Sequence, residues 1–151
     1  MGHLVFAQAE CALAPLAELG ARAKPHFAVT LKVLSGPTTG EEPPPVTRVR
    51  ATAHGTSGVF SVTVRPVREE DVMNARSAEQ RGRAAGMGDL AARCRSLWVV
   101  DAEAGSPEWL TLELCALLAF GALGPVLPPD GSTLLGVRSA RERAAQLRVI
   151  A

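Results

Sequence analysis

Tyrosine is absent from this chain, and phenylalanine and tryptophan together make up only 4% of it. Recognition of unstacked bases or sugar rings needs aromatic platforms, so single-stranded RNA is close to excluded as a ligand. The core must instead be assembled from closely packed alanine, valine and leucine. Lysine is scarce as well: Lys24 and Lys32 stand against fourteen arginines, and with abundant alanine this reads first as a bacterial-like coding bias. Neither sign of charge prevails. Sixteen basic and fifteen acidic side chains leave a net charge of +1, which creates no global field for nucleic acid or an anionic membrane.

Cysteine is limited to Cys11, Cys94 and Cys115, an odd and widely spaced set in apolar or helical surroundings. That suits reduced thiols buried as small hydrophobes, and points to the cytoplasm. No lysine or arginine precedes Arg22, and Glu10 interrupts the first apolar run, so a signal peptide is not expected. The apolar stretch from Trp109 to Leu127 contains Glu113 and ends near Pro125, too short and broken to span a bilayer. Zinc-type spacings, phosphate-cradling glycine loops and a nucleophile elbow are all missing, so neither cofactor nor metal is expected. His3, His26 and His54 have no partner spacing that would make them ligands. Cys115 has no nearby basic residue to activate it.

What remains is 151 residues, 47% hydrophobic and 21% charged, the size and balance of one folded domain spanning 1–151. His3 to Ala9 reads as a first strand and Glu10 to Ala23 as a helix with Pro15 inside it. Phe27 to Val33 alternates like a half-buried strand, and the Gly- and Pro-rich run Ser35 to Pro45 reads as an exposed loop. Val46–His54 and Val59–Val67 alternate around Gly55-Thr56-Ser57-Gly58, which signals a hairpin. A four-residue loop there places Val49, Ala51 and Ala53 with Val64, Val62 and Phe60 on one face, and Arg48 opposite Arg65.

Glu69 to Cys94 reads as helical with a break near Gly82, Gly86 and Gly88, Ala78, Ala85 and Ala92 forming one strip. Ser96–Asp101 reads as a buried strand. Ser106-Pro107-Glu108 then opens a helix reaching about Phe120, with Ser106 as cap. Pro125 to Val137 reads as a short hairpin around Pro128-Pro129-Asp130-Gly131, and the apolar positions of Gly124 to Leu135 suit a docking loop or dimer contact, or a plain hairpin turn. Ser139 and Glu142 suggest a capping box for a last helix, and Leu147 to Ile150 an edge strand. Strands and helices come in blocks, which implies α+β: an antiparallel sheet of about four to six strands with helices packed mainly on one face.

The least expected feature is the other side of that sheet. Lys32, Arg48, Arg50 and Arg65, with Thr30, Thr52, Thr63, His26 and His54, share a face on which alternation places no carboxylate. Four cations on adjoining strands repel one another, so an acidic protein partner, a phosphate or a nucleic-acid backbone would relieve them. The plain alternative is a solvated face, or one covered by acids such as Glu41, Glu42 or Glu69 to Asp71. The arginines from Arg76 to Arg95 scatter around a helix and are nearly balanced by acids, which reads as a solvated surface.

Asp101 and Glu103 follow the predicted strand, where an i, i+2 pair of acids can hold a hard cation, with Glu108 close in sequence. Acids also simply open loops and helices, as Glu108 does. Glu113, amid leucines, is either a buried acid or a residue turned to the polar edge of its helix. The sequence as a whole points first to a non-catalytic, cytoplasmic binding module, an inhibitor or immunity-type protein, an adaptor or an assembly subunit, using the basic face. Second comes a binder of anionic ligands or nucleic acid on that face, and third a small metal-assisted hydrolase or transferase at Asp101 and Glu103. A homodimer would suit the alanine-rich surface.

Overall fold

The computed structural model describes residues 2–8, 27, 29–35 and 46–150. Six strands are present among them: β1 (His3–Ala7), β2 (Thr30–Ser35), β3 (Val46–Ala53), β4 (Thr56–Pro66), β5 (Ser96–Ala102) and β6 (Val126–Leu127). Four helices accompany them: α1 (Glu69–Gly82), α2 (Met87–Ala92), α3 (Glu108–Ala122) and α4 (Val137–Ile150). The strands form one sheet in the order β2-β3-β4-β5-β1-β6, with every neighbouring pair antiparallel. This is an α+β single domain. The helix expected over 10–23, Cys11, His26, Glu41, Glu42 and the loop expected over 35–45, apart from Ser35 at the end of β2, lie outside the described residues.

The two faces of the sheet are dressed differently, and alternation decides which residue meets which layer. On the inner face Val5, Ala7, Val49, Ala51, Ala53, Phe60, Val62, Trp98 and Val100 join α3 and the small residues Ala140 and Ala144 of α4 in one buried cluster. On the outer face, Phe6 and Leu97 pack with Ala75 and Ala78 of α1, Ala91 of α2, Cys94 and Leu127 in a second cluster. The outer side is thus covered at the β5-β1-β6 end, while the main helical layer lies inside. Alanine at the α1 contact lets that helix approach the strands closely.

Helix α3 explains the long apolar stretch without a membrane. Twelve of its fifteen residues are buried, because it is packed by the sheet on one side and by α4 on another. No described helix is long and apolar enough to cross a membrane.

Several local expectations are corrected. The β3–β4 loop has two residues, His54 and Gly55, both at positive φ (50° and 77°), the backbone of a type I′ hairpin turn. The pairing shifts by four residues from the expected one, so Val49 faces Phe60 and Arg48 faces Ser61 rather than Arg65. A shift by an even number keeps every side chain on its expected face. Ala85 and Ala92 are exposed, since Arg83 adopts a left-handed cap and ends the Ala78 strip at α1. Ser106 is not the cap of α3; Pro107 occupies that place without a side-chain bond.

Ser139 lies within α4, which starts at Val137, so it forms no capping box, and 147–150 continue that helix instead of forming an edge strand. Apart from the exposed Pro129, the apolar residues of 125–135 are buried, with Val126 bridged to Leu135 and a tight turn closed from the Gly131 amide to the Pro128 carbonyl. That leaves them unavailable as the expected docking loop.

Candidate functional site

The strand order brings the two sets of candidate residues onto one surface. Across the outer face, Lys32 stands opposite Arg50, Arg50 opposite Val59, Arg48 opposite Ser61, and Ser61 opposite Asp101. The expectation of a face free of carboxylates is therefore wrong: Asp101 arrives on it from β5, and Glu103, just past the end of that strand, engages Arg48. The error arose because alternation fixes the face of each strand and leaves the neighbouring strand unspecified. Arg48 donates from Nε and Nη2 to the Glu103 carboxylate at 3.0 and 2.7 Å. Both side chains are exposed, so this pair contributes well under about 1 kcal/mol and mainly sets orientation.

Arg65 is withdrawn from the basic set in another way. Its guanidinium donates to both oxygens of Asp71, at 2.7 and 2.8 Å, and Asp71 also accepts the Arg68 amide at 2.8 Å. Asp71, one of the acids expected as possible cover for the basic face, thus pairs with Arg65 and ties β4 to the first turn of α1. Arg65, Arg68, Asp71, Asp101 and Asp130 line a cleft of about 680 Å³ between the outer face, α1 and the turn at 128–131. Asp130 is itself occupied by the Ser132 amide and hydroxyl, which hold its carboxyl below the ordinary value.

His54 leaves the face altogether. It sits in the hairpin turn with its ring edge-on to Trp109 of α3, 6.1 Å between centroids. What survives of the expected basic face is Lys32, Arg48 and Arg50, interleaved with Thr52, Ser57, Ser61 and Thr63. Thr52 and Ser57 share a hydroxyl hydrogen bond of 2.8 Å. Lys32 and Arg50, both exposed, have no ion pair among the described residues.

The acids of the third reading are not assembled. Glu103 is engaged by Arg48, and Glu108 opens α3 in the layer on the other side of the sheet from Asp101. Among the described residues no group of three His, Cys, Asp or Glu side chains is placed to hold a metal ion. Arg76 bonds Asp89 at 3.0 Å, in keeping with a solvated helix surface. Cys94 and Cys115 are both buried, and burial pushes the Cys115 thiol well up.

His3, set aside in the sequence as lacking ligand spacing, is buried, and no described residue bonds its Nε2. Burial lowers its pKa below the ordinary 6.5, against the opposing pull of Glu108, Asp130 and Asp101. The ring is neutral when folded and gains a proton more readily when unfolded, so stability is complete above pH 6.5 and lost as pH falls below it. Replacing His3 by leucine is expected to flatten that loss, measured by thermal melts on either side of pH 6.5.

Comparison with protein-family models, with curated proteins and with solved structures finds no match. The class the fold defines is the α+β single domain described above, and the site must be argued from its own chemistry.

Proposed function

We propose that the chain is a protein-binding module whose outer face over β2, β3 and β4 docks an acidic surface of a partner protein. One observation carries the reading: Lys32 and Arg50 oppose each other across adjoining strands where no described helix covers the sheet. A like-charged cross-strand pair costs a few tenths of a kcal/mol, up to about 1, that carboxylates of a partner would recover. The hydroxyls between the cations add donors and acceptors suited to a polar interface. Cys115, a free thiol enclosed in the core, fits a cytoplasmic setting for such a module.

Reversing both charges, Lys32→Glu with Arg50→Glu, is expected to abolish capture of a stoichiometric partner from nuclease-treated extract. Arg50→Glu alone is expected to leave the melting temperature unchanged or slightly raised, since it removes the repulsion of Lys32. Partner capture that survives the double reversal overturns the proposal. Retention that vanishes with nuclease and falls steeply with salt would assign the face to a nucleic-acid backbone instead.

A further inference from the structure

A second concavity, of about 570 Å³, lies in the helical layer between α3, α4 and the β3–β4 turn. At its wall is Glu113, which the sequence left between an outward and a buried position. The residue is 7% exposed, between the fully buried Leu112 and Leu114, because α3 is covered nearly all round and has no polar edge there. Its carboxylate receives no hydrogen bond among the described residues. The nearest cation is Arg148, with Nη1 3.8 Å from Oε1, beyond hydrogen-bond range. The Glu113 side chain is enclosed, yet its carboxylate oxygens are not among the atoms shut off from solvent without a partner, so they open into the hollow, where a ligand donor can reach them.

Two cations face the same hollow and are held by aromatic rings. The Arg148 guanidinium lies over the Trp109 ring at 5.8 Å, and the Arg141 guanidinium over the Phe27 ring at 4.8 Å. Arg141 has no carboxylate partner among the described residues, whereas Arg138 at the rim is engaged by Glu142 at 3.2 Å. Ring contact orders each arginine while leaving N–H donors for another group. Val137 and Ala145 add an apolar wall.

We infer that this hollow binds a small organic acid carrying a hydrogen-bond donor beside its carboxylate, an α-amino acid or a 2-hydroxy acid. The ligand carboxylate sits between Arg141 and Arg148, and its ammonium or hydroxyl donates to Glu113. This arrangement gives the carboxylate facing the hollow a hydrogen-bond donor and Arg141 an anion, within a volume ordinary for a small-molecule site.

The test is titration calorimetry of the full chain with single amino acids, 2-hydroxy acids and simple carboxylates without a donor, including acetate and propionate. At least one amino or hydroxy acid is expected to bind, and its dissociation constant to rise roughly tenfold in Arg141→Gln and in Glu113→Gln. Arg138→Gln is expected to leave it within about twofold. Which of the two acid classes binds tells whether an ammonium or a hydroxyl meets Glu113. The inference is overturned if no such acid binds, if acetate or propionate binds as tightly, or if Glu113→Gln leaves affinity unchanged. Thermal melts of each variant separate lost binding from lost folding, and Arg148→Lys serves as the second cation variant if Arg141→Gln fails to fold.

Discussion

Replacing Asp71 by alanine is expected to lower stability by about 3 kcal/mol in urea denaturation, the largest loss from any single charged residue described here. Asp71 is 5% exposed and receives three hydrogen bonds, two from the Arg65 guanidinium and one from the Arg68 amide. Removing it leaves the half-buried Arg65 without its anion and frees the N-terminal turn of α1 from β4. Asp71→Asn retains the shape and one acceptor and is expected to cost less, about 2 kcal/mol. The Arg65 guanidinium, assisted by the Arg68 amide and opposed by burial, holds the Asp71 carboxyl below its ordinary 3.8. The stability it contributes is therefore complete above that pH and lost as pH falls through the lower folded value. Acid denaturation of Asp71→Asn should be flatter in this window, with a residual slope from Asp130, whose carboxyl is also depressed.

Gly124→Ala is expected to cost a similar amount, about 3 kcal/mol, for a purely steric reason. After α3 the chain runs alongside β1, with the Gln8 amide bonded to the Ala122 carbonyl and the Phe6 amide to the Pro125 carbonyl, both at 3.0 Å. A methyl group at Gly124 falls on the Phe6 carbonyl oxygen and lies 3.1 Å from the Cys94 sulfur. The obstacle is backbone within a sheet, which does not yield as a flexible side chain does. Gly105→Ala is the control, because its methyl meets open space and only the positive φ of 90° is strained, a cost of about 1 kcal/mol. A smaller loss at Gly124 than at Gly105 in the same assay would refute the close-approach argument.

The alternation of Val49, Ala51 and Ala53 against Arg48, Arg50 and Thr52 was enough to assign faces, since the strand period is two whatever the register. It was not enough to assign neighbours. Four alternating residues around Gly55 and Gly58 admit more than one hairpin, and His54 entering the left-handed region carried little signal in the chain. The meeting of Arg65 with Asp71, and of Arg48 with Glu103, depends on how α1 folds back and on which strand lies beside β4. Periodicity carries neither fact. Glu113 was legible as unusual, because a carboxylate in a run of leucines must be either at an edge or enclosed. Its enclosure follows from α4, whose last turn resembled a short strand in sequence because Leu147, Val149 and Ile150 are equally at home in either.

The uneven cover of the sheet also sets the order in which the molecule opens. Amides of β1 and β5, enclosed between helices on both sides, are those whose exchange with solvent requires global unfolding. Those of β2 and the adjoining part of β3 lie at a sheet edge and, among the described residues, have helical cover on the inner side only, so they exchange through smaller, local openings. Any ligand of the outer face that binds only the closed form would slow exchange there first and least affect the centre. The protein would then report occupancy of that face as a change in the protection of its own edge strands, with no movement of the rest of the fold.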